Sequence, residues 1–229
     1  MNIVIISNGP GLKDVVEKFG HSSEWIQMSI NDSSINYKIL KAYEKEICNI
    51  ENHDAFIITG SKYSVYDNLD WISALKTLVN SIIAQNKAIL GICFGHQILA
   101  ECLGGRVEQN KLGWELGSYK INLTTEGLKH PLFKNISDKD IVYESHQDVV
   151  SIMPEDVIEL AYTKKANQAF CYRNNIFGVQ FHPEFTYDVT RALMDIRTNK
   201  GIHIDSSNLE KSLNSKNILT NFIKIIRGK

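Results

Sequence analysis

Residues 88–105 read AILGICFGHQILAECLGG, an apolar run that enters Gly91-Ile92-Cys93-Phe94-Gly95 and continues as a helix-like stretch to Gly104-Gly105. A short, continuous apolar run that stops at glycine is the pattern of a strand covered on both faces, which places it inside a parallel sheet. Residues 3–7, ahead of Gly9-Pro10-Gly11, and residues 55–59, ahead of Gly60, repeat the pattern. Between these runs, Trp71, Ile72, Leu75, Leu78, Val79, Ile82 and Ile83 recur at i, i+3, i+4, i+7 spacing and predict one helix face. Residues 37–47 are a weaker helix candidate. Strands alternating with helices imply βαβ units.

From about Ser118 the texture changes. The segments SYKINL, IVYESH, VIELAYT, QAFCYR and IFGVQF are strand-like, with little helix between them. They predict a β-rich portion that extends the sheet or lies beside it. Helical character returns at residues 187–197 and again near 218–226, where Ile218, Leu219, Phe222, Ile223 and Ile226 share a face. Residues 199–208 are polar and contain Gly and Ser, as a linker would. The expectation is one α/β domain over residues 1–229, with a docking helix at about 209–227.

Several classes of function fit the chain poorly. Lys plus Arg number 25 against 26 Asp plus Glu, so no charge excess recommends nucleic acid or a membrane surface as partner. No run approaches the roughly 18 apolar residues that span a bilayer, and the N-terminus lacks a basic region before its short apolar run. A cytoplasmic protein is expected. Cys48, Cys93, Cys102 and Cys171 form no CxxC pair and have no His at zinc spacing. No metal and no organic cofactor are expected.

Cys93 stands where a nucleophile elbow puts its attacking residue, with glycine two positions to each side so that backbone can pack closely around a strained turn. A helix starting there favours negative charge on the sulfur, and the Phe94 N–H would face an oxyanion. Close packing of a small residue at a strand end explains the same spacing. A thiol nucleophile needs a proton acceptor, and that acceptor needs an orienting partner. His182 ends the apolar run 176–181 and is followed by Pro183 and Glu184. In an extended segment Glu184 shares the face of His182. A strand-end histidine bonded to backbone is the alternative. His96 is expected to pack beside the elbow, His146 to line a pocket, and the other histidines to sit at the surface.

GICFGHQ, then ESHQDVV, then FGVQFHPEF, in that order, resembles the class I glutamine amidotransferases over residues 54–197. The resemblance implies a flavodoxin-like fold with a mixed, mainly parallel sheet. It also implies a triad of Cys93, His182 and Glu184, with Gly60 and Phe94 as oxyanion donors. By position, Gln97, Gly113, Trp114, Glu115, Ser145 and His146 would contact the substrate. The loop TGSKYSVY departs from the Gly-Gly-Pro found in anthranilate-type and GMP-synthase-type members, which leaves the oxyanion donor open. No SGG-type phosphate loop occurs, so a stand-alone domain of the GMP-synthase-like subgroup is expected, which includes proteins resembling γ-glutamyl peptidases. The implied reaction releases glutamate and ammonia from glutamine through a γ-glutamyl thioester, with a separate synthetase subunit as ammonia acceptor. Two alternatives stay open: cleavage of a larger γ-glutamyl compound, and a silent domain that only binds.

Overall fold

The computed structural model describes residues 1–202 and 209–228. Residues 203–208, the greater part of the expected linker and including His203, lie outside the described residues.

The strand order of the main sheet explains the glycine-terminated runs. Strand β1 (Asn2–Ser7) lies between β2 (Asn36–Lys41) and β3 (Ala55–Ile58). Next to β3 come β4 (Ala88–Ile92) and β12 (Ile176–Val179), and all five strands are parallel. Strands β11 (Asn167–Tyr172), β10 (Ile158–Tyr162) and β7 (Asn122–Leu123) then continue the sheet antiparallel. Two ribbons lie beside it: β5 (Arg106–Gln109) with β9 (Asp148–Ile152), and β6 (Glu115–Lys120) with β8 (Ile141–His146). The second half therefore both extends the main sheet and flanks it.

Side chains alternate across the central strands. Ile3, Ile5, Ile57, Leu90 and Ile92 pack on one face with α2 (Ser22–Ile30) and α7 (Asn217–Arg227). Val4, Ile6, Phe56, Ile58 and Ile89 pack on the other with α3 (Asp70–Ala84) and α4 (Phe94–Cys102). Strands covered on both sides have no polar face, hence the unbroken apolar runs. A smaller third cluster joins α1 (Lys13–Phe19) to α6 (Tyr187–Asn199) through Val15, Trp25, Val189 and Leu193. The short helix α5 (Thr125–Lys129) closes the far end.

One expectation fails. Residues 37–47 do not form a helix: β2 pairs with β1 from Asn2↔Asn36 to Ser7↔Lys41, and only a single 3-10 turn, Ala42–Glu44, follows. The open edge of β1 offers a row of unpaired backbone groups that captures this segment, which overrides its helical spacing. Among the described residues, no helix is long and apolar enough to cross a membrane.

Candidate active site

The ends of β4 and β12 converge on one point. Strand β4 ends just before Cys93, which caps α4 with φ 52° and ψ −104°, a region that side chains rarely occupy. The turn depends on close backbone contact. A Cβ on Gly91 would lie 2.3 Å from the Gly95 carbonyl oxygen, and one on Gly95 would lie 2.3 Å from the Ile58 carbonyl oxygen. The Cys93 N–H donates to the Val179 carbonyl at 2.9 Å, tying the elbow to β12.

His182 arrives just beyond β12. Its N–H donates to the Tyr143 carbonyl on β8 at 2.8 Å, its Nδ1 lies 2.9 Å from Glu184 Oε1, and its ring stacks on Phe185 at 3.9 Å. The carboxylate on Nδ1 leaves Nε2 for a proton exchange. Burial alone would depress the ring, but the Glu184 charge and the neighbouring Cys93 sulfur outweigh that and raise His182 to about 10. Gly60 sits against both groups: a Cβ there would lie 2.9 Å from His182 Cε1 and 3.6 Å from Cys93 Cβ. Phe94, in the first turn of α4, has an N–H without an intrahelical partner. Its ring packs against Trp71 at 5.8 Å.

Two chambers open beside these groups. The first is polar and is lined by Cys93, Gln97, Trp114, Ser145, His146 and Asp148, among others. Gln97 donates through Nε2 to the Asp148 carbonyl at 2.9 Å and to Gln180 Oε1 at 3.1 Å. The Asp148 carboxylate accepts from the Ser64 hydroxyl, and from Tyr66 at 2.9 Å. Arg197, near the end of α6, lays its guanidinium 4.7 Å from the Trp114 ring. Its Nε is buried without a hydrogen-bond partner. Burial lowers its pKa, opposed by the nearby Cys93 sulfur. Gly113 does not line this chamber; it lies in a turn, its N–H donating to the Asn110 carbonyl.

Two buried carboxylates flank His146, and one of them, Glu115, which the resemblance put at the substrate, does not line the polar chamber. The Nε2 of His146 lies 3.3 Å from Glu115 and 3.1 Å from Glu144, all three side chains being inaccessible. The register pairs Glu115 with His146 across the β6–β8 ribbon. Burial works against a charged ring, but the two carboxylates prevail and raise His146 to about 10. Only strand pairing brings Glu115 to His146. Arg197 likewise reaches the site only because α6 crosses the ribbon, with Met194 against Gly117.

His96 is fully buried, 4.9 Å from the Phe170 ring. Burial lowers it to about 3, so it stays neutral. His53 is exposed in part, whereas His21 and His130 are half-buried helix caps rather than free surface residues.

The second chamber is an apolar cleft. His182, Glu184 and Phe185 line one end, and Leu12, Val15, Val16, Trp25 and Leu193 form most of the wall beyond them.

Comparison with known proteins identifies a family for the chain. The family described as Glutamine amidotransferase class-I matches residues 15–194. Gamma-glutamyl peptidase 5 of Arabidopsis thaliana is 34% identical over 149 residues, 64% of this chain and 59% of that protein. A GMP synthase [glutamine-hydrolyzing] of Treponema denticola is 35% identical over 173 residues, 74% of this chain but only 31% of the synthase. A glutamine amidotransferase structure from Thermotoga maritima superposes with a TM-score of 0.77 at 22% identity, covering 99% of this chain and 96% of the other.

Proposed function

Since the chain belongs to the class-I glutamine amidotransferase family, we propose that it hydrolyses the side-chain amide of glutamine through a γ-glutamyl thioester on Cys93. The observation that carries this reading is the convergence of three groups. A cysteine sits in a strained elbow, a histidine ring stands beside it with Gly60 against both, and a carboxylate lies 2.9 Å from the ring Nδ1.

The sulfur attacks the amide carbon, and the oxyanion forms against the Phe94 N–H and the Gly60 loop. In other enzymes one such donor is worth about 2.7–4 kcal/mol. His182 passes its proton to the leaving nitrogen, and ammonia departs as the tetrahedral intermediate collapses to the thioester. Water, deprotonated by the same ring, then releases glutamate and regenerates the thiol pair. Glu184 holds the ring in the tautomer that presents Nε2 and stabilises its charged form. The polar chamber takes the amino-acid end of the glutamyl group, with Arg197, stacked on Trp114, facing its carboxylate. We place the enzyme in the cytoplasm, with a separate synthetase as the consumer of ammonia.

The test is glutamate release by the purified chain. Cys93→Ala lowers it by at least about 10³-fold and abolishes stoichiometric labelling by a glutamine-like diazoketone. Turnover surviving in that variant would falsify the assignment. Absence of labelling in the unaltered chain would instead favour a domain that only binds. A second reading, cleavage of a larger γ-glutamyl compound, draws support from the 34% identity to a gamma-glutamyl peptidase.

A further inference from the structure

The proposed reacting groups divide between the two chambers. Cys93 lines the polar chamber but not the apolar cleft, and His182 lines the cleft but not the polar chamber. The chambers share Ser61, Lys62, Ser145 and Arg197, which mark their junction. Chemistry then assigns the two halves of a substrate. The carbon that bonds to sulfur must lie on the Cys93 side. The nitrogen that accepts the His182 proton, and whatever is bonded to it, must extend on the His182 side.

The His182 side is built for more than ammonia. The cleft has a volume of about 120 Å³, whereas a single water needs roughly 10–15 Å³. Its charged lining residues, Lys62, Glu184 and Arg197, either belong to the junction or are engaged with His182. Beyond them the walls are mainly Leu12, Val15, Val16, Trp25 and Leu193, with Ser22 and the backbone of Gly9 and Gly11 among them. The apolar wall is continuous with the proton donor: Phe185 stacks on His182, and Trp25 meets Phe185 edge-on at 5.7 Å. The one polar atom of Trp25 is already used, its Nε1 donating to the Phe19 carbonyl at 2.7 Å. Glutamine alone would leave this apolar surface in water, while an apolar substituent on the amide nitrogen would cover it.

We infer that the cleft is a leaving-group subsite, and that the preferred substrate is a γ-glutamyl amide of an apolar alkyl- or arylalkylamine rather than glutamine. The inference rests on the Cys93–His182 chemistry proposed above. The C–S bond forms as the C–N bond breaks, and the His182 proton completes the free amine, which leaves through the cleft. Water then supplies hydroxide to the acyl carbon and a proton to His182, the C–S bond breaks, and glutamate departs.

The experiment compares kcat/KM of the full chain for glutamine, γ-glutamylglycine, γ-glutamylethylamide and γ-glutamylphenethylamide. The expected order rises with apolar size, the phenethylamide exceeding glutamine by about tenfold or more and γ-glutamylglycine gaining nothing. Val16→Asp and Leu12→Asp, both at half-buried wall positions, keep glutamine hydrolysis within about twofold of the unaltered chain and erase the phenethylamide advantage. Thermal melts check that each variant is folded, and Val16→Thr replaces any that is not. Glutamine turned over as well as the phenethylamide, γ-glutamylglycine preferred over it, or an advantage that survives in the wall variants overturns the inference. Failure of the underlying chemistry looks different: no γ-glutamyl compound is hydrolysed and the diazoketone does not label Cys93.

Discussion

His182 carries a charge that its burial opposes, and its neighbours decide the outcome. Glu184 and the Cys93 sulfur raise the ring from 6.5 to about 10. The protonated ring is therefore present across neutral pH and is lost as pH rises toward 10, so amide hydrolysis is expected to fall over that alkaline range. Glu184→Gln removes the largest favourable contribution, so its alkaline limb moves to lower pH and kcat drops on the order of 10²-fold. A pH–rate profile of both proteins checks the direction, and an unmoved limb would exclude Glu184 as the partner. His96 behaves oppositely. Its folded value is lowered from 6.5 to about 3, so the unfolded chain binds a proton that the folded chain refuses between those values. Its stabilising contribution is complete above 6.5 and shrinks as pH falls toward 3. Between pH 6.5 and pH 5 the loss is about 2 kcal/mol. In His96→Leu, the difference between urea midpoints at pH 7 and pH 5 should shrink accordingly. The sequence placed His96 beside the elbow, but its neutrality follows from packing that only the assembled sheet and α4 create.

At the scale of elements, the elbow is a joint between β4, α4 and β3. Gly95 lies so close to Ile58 that a methyl group would meet the carbonyl oxygen at 2.3 Å. Backbone cannot swing aside as a flexible side chain can. Gly95→Ala is expected to cost at least about 2–3 kcal/mol, read as a lower denaturation midpoint, and to depress labelling of Cys93 in whatever folds. A variant of unchanged stability would show that α4 can slide away from β3. The glycine spacing was legible in the chain because steric need leaves a residue-type signature. The pairing of β2 with β1 was not legible, since nothing within residues 37–47 records the open edge that captures them.

At the scale of the molecule, α7 completes the core although it comes last in the chain. Ile218, Leu219, Phe222 and Ile223 are buried against the main sheet, with Phe222 6.0 Å from the Phe177 ring. Arg227 pairs with Asp32 at 2.7 Å at the far end of the helix. On this basis we propose that the described residues form one folding unit. Phe222→Ala should then lower global stability by about 3–5 kcal/mol, seen as a single shifted unfolding transition. A separate early transition, with the rest of the melt unmoved, would mean that α7 docks on a domain already complete.

The chain by itself determined the parallel core, the elbow and its cysteine, and a histidine and glutamate two positions apart, because each is written in local spacing or in a motif. The tertiary structure alone decided what surrounds them. Glu115 meets His146 across a ribbon, Arg197 reaches Trp114 from another helix, and His182 faces an apolar cleft walled partly by residues 12–25. These contacts join residues tens to more than a hundred positions apart. No local pattern records them, because they follow from how the layers stack.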